Sequence, residues 1–193
     1  MGTESSPEKI KLTHGARHSP TSVAYRRSRL KDALALLETA QDLFETKRSR
    51  IDADEAAIVR EEIDACYSRA CVYTETAEFD KSLFFFQRGW DLSEGHDDGI
   101  STPWPYAEMH YALCGGMANS LNGLGRDAES EPKYQDCLEL NKNFDVWPIY
   151  EINMRRCQWM RGKLDEAASG LEDFIRRRTA ARGEDDPEGF LFV

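Results

Sequence analysis

Four short stretches of this chain follow one pattern: a small residue, a charged one, an apolar one, two polar ones, and a small one. They are Ser28–Ala33, Ala77–Ser82, Gly125–Ser130 and Gly162–Ala167, with Asp127 and Ala128 as departures in the third. Each closing small residue is followed four positions later by a large apolar one, in the pairs Ala33/Leu37, Ser82/Phe86, Ser130/Tyr134 and Ala167/Leu171. Residues four apart share a helix face. Each copy therefore predicts a tight turn feeding the second helix of a helical hairpin, and their recurrence predicts hairpins stacked side by side.

The 193 residues suit one domain or one run of stacked repeats. No segment approaches the roughly 20 consecutive apolar residues of a membrane span. A formal charge of −10 opposes binding to a phosphate backbone, which is driven by cationic side chains, so nucleic acid is not an expected partner. The five cysteines are odd in number, form no CxxC pair and follow no signal-peptide pattern. This predicts a reduced chain in the cytoplasm, with the thiols serving as small hydrophobic groups.

Residues 1–22 lack apolar periodicity and carry Ser6-Pro7 and Ser19-Pro20, which predicts a disordered tail. Gly2 with Ser6 matches a loose myristoylation pattern. His14 and His18 are four apart but have no third ligand nearby, and His96-Asp97-Asp98 is too short a run to close a coordination sphere. No metal or other cofactor is expected. Arg26-Arg27 with Arg29 and Lys31 reads as a solvated helix face.

Apolar spacing predicts about seven helices between residues 23 and 182, and a C-terminal tail over 183–193 that ends in Phe190-Leu191-Phe192-Val193. Leu83, Phe84, Phe85, Phe86 and Trp90 make the third helix apolar almost all round, which predicts that it lies at the centre of the core. The fourth contains Gly115 and Gly116, each costing roughly 1 kcal/mol against alanine, a cost that close approach of a neighbouring helix would offset. Pro148 suits the first turn of the sixth.

Taken as hairpins, these elements resemble the tetratricopeptide repeat. Its first-helix pattern reads here as Cys66, Arg69, Ala70, Tyr73 and as Cys114, Met117, Ala118, Leu121. Its second-helix pattern reads as Ala33, Leu37, Ala40; Ser82, Phe86, Gly89; Ser130, Tyr134, Cys137; and Ala167, Leu171, Phe174. Met117–Leu140 is similar to the helical-repeat arms of STAND-class proteins. Several positions depart from the pattern: Arg69 and Asp127 stand at apolar sites, and the last first-helix set is Glu151, Met154, Arg155 and Gln158. The anchors are 49, 48 and 37 residues apart, against about 34 for an ordinary repeat.

The resemblance implies an all-α superhelix of antiparallel hairpins whose first helices line a concave groove for a peptide or helix. It implies groove-facing positions at Asp64, Tyr67, Thr74, Glu75, Asn119, Asn122, Arg156 and Trp159. The carboxylate-clamp variant of the family is disfavoured, because Asp64, Tyr67 and Ser68, then Ala112, Gly115 and Gly116, stand at its sites. The expected function is a non-enzymatic adaptor or scaffold with a protein or peptide partner, or an arm of a larger switch protein, with an exposed repeat edge able to pair with another copy. The alternative is a small helical enzyme or ligand carrier with an aromatic-lined pocket, for which no phosphate loop, nucleophile motif or metal spacing speaks.

Overall fold

In the computed structural model the described residues are 29–47, 55–94, 106–140 and 148–182. They form α1 (Leu30–Lys47), α2 (Glu55–Glu75), α3 (Phe79–Glu94), α4 (Tyr106–Gly123), α5 (Asp127–Leu140), α6 (Pro148–Met160) and α7 (Leu164–Arg182), with no strand among them. The expectations for residues 1–22, His14, His18, residues 96–98 and residues 183–193 fall outside the described residues.

Three turns of one geometry set the architecture. Ala77, Gly125 and Gly162 adopt φ of 59°, 70° and 77°. Around them the Glu78 N–H donates to the Tyr73 carbonyl at 2.8 Å and the Ala77 N–H to Thr74 at 3.0 Å. The pairs Arg126/Leu121 and Gly125/Asn122, then Lys163/Gln158 and Gly162/Trp159, repeat the arrangement at 2.9 Å. This double hydrogen bond around a left-handed residue is the Schellman end of a helix. Directly afterwards the N–H groups of Ser82, Ser130 and Ala167 donate to the carbonyls of Glu78, Arg126 and Lys163 at 3.0 Å, opening the next helix.

The hairpins are thus α2–α3, α4–α5 and α6–α7, with α1 laid on α2. Consecutive helices pack along the whole series, and the first helices also meet each other, α2 with α4 and α4 with α6. The second helices α3, α5 and α7 make no comparable mutual contact. Hairpins that approach each other more closely on one side curve toward that side, here the side of the first helices. The two ends of the series do not pack together, so the described helices form an open stack.

Ala33, Ser82 and Ser130 are wholly buried and Ala167 nearly so, as the recurring pattern predicts. The two serines add a polar bond to the packing. The Ser82 hydroxyl donates to the Ala70 carbonyl at 3.0 Å and the Ser130 hydroxyl to that of Ala118 at 2.7 Å, each twelve residues back. Each ties a second helix to the small residue of its own first helix.

The centre of the core is α4, which corrects the expectation for α3. Only Ser82, Phe86, Gly89 and Ser93 are buried on α3, and Phe84 is 59% exposed. Every residue from Leu113 to Ala118 is buried. The reason is position in the stack: α4 meets its own partner α5, the preceding hairpin and the following first helix. A second helix has no such neighbour on its outer side. The glycine pair makes the crowding possible, since a Cβ on Gly116 would run into the Phe86 ring and one on Gly115 into the Tyr150 ring. The long early intervals between anchors arise partly from helix length, with 18 residues in α4 against 13 in α6.

Candidate functional site

Alignment of the hairpins on their turns places the first helices in register, so that Ala70, Ala118 and Arg155 are equivalent, each twelve residues before its anchor serine or alanine. Seven of the eight predicted groove residues then fall on one face of the first helices: Asp64 and Tyr67 on α2, Asn119 on α4 and Arg156 on α6, and Thr74, Asn122 and Trp159 at the penultimate residues of α2, α4 and α6. Asn119 is the equivalent of Arg156, and Glu75 adjoins Thr74.

The structure divides these residues into three groups. Glu75, Arg156 and Trp159 are exposed, Trp159 by 60%. Asp64 and Tyr67 are half-buried, and the Tyr67 ring meets Phe86 edge-on at 5.9 Å. Thr74, Asn119 and Asn122 are engaged inside the stack. Thr74 Oγ1 donates to the Ala70 carbonyl at 2.9 Å and lies 2.6 Å from Ser82 Oγ. Asn119 Oδ1 accepts from Tyr134 Oη at 2.6 Å and from Asn153 Nδ2 at 3.0 Å, joining α4, α5 and α6. Asn122 Nδ2 donates to Asp127 Oδ1 at 2.7 Å and to Cys157 Sγ at 3.3 Å. Asp127 stands at an apolar position because it is the acceptor in this network.

The other departures have similar explanations. Arg69 is nearly buried, with its guanidinium 4.2 Å over the Phe85 ring and hydrogen-bonded to Gln41 of α1. Arg155 replaces the small Ala70 and Ala118, and Gly170 on α7 provides the space. Buried Glu151 accepts from Arg177 at 2.6 Å and pairs with Arg155 at 3.4 Å. Glu131 on α5 binds Lys163 at 2.8 Å, Gln158 at 3.3 Å and Arg161, reaching the turn of the next hairpin. Burial works against its charge, but hydrogen bonds from Lys163 and Gln158 and the charges of Lys163 and Arg161 outweigh it, holding the carboxyl below its ordinary value.

A second surface feature was hidden from sequence reasoning. Between α3 and α5, over α4, lies an open groove of about 640 Å³. Leu83, Met117 and Leu121 contribute apolar lining, Phe84 contributes a wall, and Asp80 and Arg126 lie among its charged borders. The signal in the sequence was Phe84 itself, but its neighbours Leu83, Phe85 and Phe86 assign it to the core by periodicity. Among the described residues no three His, Cys, Asp or Glu side chains are grouped to hold a metal, and no helix is long and apolar enough to cross a membrane.

No family model matches the chain, and no curated protein matches it. Among solved structures, the crystal structure of the apo form of RapI superposes with a TM-score of 0.65 at 12% sequence identity. The match covers 85% of this chain and 42% of RapI. The chain has the fold of part of RapI. It spans about two fifths of that protein's length, and at this identity the likeness is one of helical-repeat architecture.

Proposed function

We propose that this chain is a non-enzymatic interaction module, an adaptor or scaffold of the tetratricopeptide type, that receives a peptide or helix along its first-helix face. The observation that carries this reading is the contact of α4 with both α2 and α6 where the second helices stay apart, which gives the stack a concave side. On that side Trp159 and Arg156 are exposed, and Tyr67 and Asp64 are within reach of an occupant. Trp and Tyr supply large contact area at low entropic cost, and Arg and Asp fix orientation through charge. Asp64, Tyr67, Glu75, Arg156 and Trp159 are the contact residues; Thr74, Asn119 and Asn122 hold the face in shape and meet the occupant only at its edge.

The test is selection of binding peptides from a displayed random library against the wild-type chain, followed by titration of the recovered peptides against Tyr67→Ala/Arg156→Ala/Trp159→Ala. Loss of affinity by tenfold or more, about 1.4 kcal/mol, places binding on this face. Unchanged affinity rejects it. The exposed Phe84 and the opening beside it favour a second reading, in which the partner lies between α3 and α5 on the opposite side. In that case Phe84→Ser abolishes binding and the triple variant does not.

A further inference from the structure

One junction between hairpins is bridged by charge, and the equivalent junction before it is not. Glu131, the residue after the anchor Ser130, holds Gln158, Arg161 and Lys163 of the next hairpin. Counted from the anchors, its equivalent on α3 is Leu83, and the equivalents of its three partners are Leu121, Leu124 and Arg126. Three of the four polar groups are thus replaced by leucine. Only the cation remains, on the border of the opening between α3 and α5.

Arg126 already has one carboxylate, since its Nε and Nη2 donate to Glu129 at 2.7 and 2.6 Å. Lys163 likewise stands 3.6 Å from Glu166, the equivalent of Glu129, and binds Glu131 at 2.8 Å as well. A cation at this position can therefore hold two carboxylates, and among the described residues Arg126 is paired with one.

A second cation lies farther along the same opening. Arg88 is exposed and carries no ion pair among the described residues. Lys133, by contrast, is 3.6 Å from Asp136 and 5.9 Å over the Trp90 ring. The bordering acids are engaged: Glu129 by Arg126, and Asp91 by Gln87, which donates to it at 2.8 Å. Asp80 lies in the first turn of α3, where an acid suits the positive end of the helix. The unmatched charge is positive, at two points with Leu83 and Phe84 between them.

The equivalent of Arg126 on α3 is Glu78, ten residues before Arg88, so the two cations are about 15 Å apart along the helices. Three helical turns are about 16 Å and return a side chain to the same face. The opening follows two second helices that run the same way above α4, and their backbone groups are bonded within the helices. It offers an extended strand no free edge and offers a helix a trough.

We infer that the opening between α3 and α5 receives an amphipathic helix of a protein partner, whose apolar stripe covers Leu83, Phe84 and Leu121 and whose two acids, about three turns apart, pair with Arg126 and Arg88. With −10 on the whole chain, a uniformly acidic partner is repelled, so the acids are confined to these two points. This site rests on the reading that places a partner beside Phe84, and it is separate from the first-helix face.

The test is selection against the full-length chain from a displayed library of helix-forming peptides of about five turns, with leucine or phenylalanine fixed along one stripe and the flanking positions randomised. Recovered peptides are expected to carry acids about ten or eleven residues apart and to lose affinity tenfold or more on Phe84→Ser. Arg88→Glu/Arg126→Glu should weaken them similarly and should bind the same peptides better once lysine replaces their acids. Both variants alter exposed side chains, and circular dichroism checks that each stays helical. Tyr67→Ala/Arg156→Ala/Trp159→Ala should leave binding unchanged. An empty selection, recovered stripes without the paired acids, or equal binding by the charge-reversed variant overturns the inference. Loss of binding in the triple variant with none in Phe84→Ser also overturns it, while supporting the first-helix face as the site of the partner.

Discussion

Backbone strain and side-chain room can be separated at the turn and core residues. Ala77 takes the left-handed conformation that Gly125 and Gly162 take at the equivalent turns. That conformation costs alanine about 1 kcal/mol and glycine almost nothing. Ala77→Gly is expected to stabilise the fold by about 0.5 kcal/mol, part of the relief being offset by the freer unfolded chain. Gly125→Ala should destabilise it by about 1 kcal/mol although no atom lies within 4 Å of the new Cβ. Gly116→Ala tests the opposite effect, since its backbone is helical and its Cβ meets the Phe86 ring. Overpacking of about 1–3 kcal/mol outweighs a helix-propensity gain of about 1, so the variant is expected to be less stable. Urea denaturation followed by circular dichroism measures all three.

The cysteines belong to the same scale. Burial pushes the Cys71 and Cys114 thiols up to about 11 and also raises Cys66, Cys137 and Cys157. Thiolate is the reactive form, so a thiol reagent at about pH 8 is expected to label the native chain far more slowly than the urea-unfolded chain. Rapid labelling of any buried thiol in native protein would contradict the packing described.

Between elements, the helices are joined by half-buried Glu131 and buried Glu151 as well as by apolar contact. Glu131 has a folded-state value below its ordinary 4.5, so its contribution to stability is complete above that value and is lost as pH falls through the lower one. The α5 to α6–α7 junction should accordingly weaken in acid. Glu131→Gln is expected to lower stability at neutral pH by about 1–3 kcal/mol and to flatten the acid limb of the stability curve. Thermal melts from pH 7 down to about 3 check both; an acid limb as steep as that of wild type would remove Glu131 as its source. The hairpin turns and the four buried anchors were legible in the sequence because they depend on local spacing. Arg69, Asp127 and Arg155 looked like defects because their partners, Phe85 and Gln41, Asn122, and Gly170, are on other elements or across a turn.

At the scale of the whole molecule, α4 is the element with most neighbours, and α1 and α7 have one each. In a stack held by nearest-neighbour contacts, protection against opening follows that order. Hydrogen exchange is expected to be slowest in α4 and fastest in α1 and α7. Uniform protection along the series would mean that the hairpins unfold as one closed core.

Periodicity along the chain was enough to determine that this protein is a series of antiparallel hairpins, since a small residue four before a large one, after a tight turn, encodes a helix face without reference to anything distant. Which helix became the centre, and which of the predicted groove residues stayed on the surface, were decided by tertiary structure. Leu83 to Phe86 and Leu113 to Ala118 are both apolar runs, and only the number of helices around each tells them apart. Asn119 and Trp159 likewise occupy similar faces of first helices, but Asn119 is met by Tyr134 and Asn153 while Trp159 is left open to solvent.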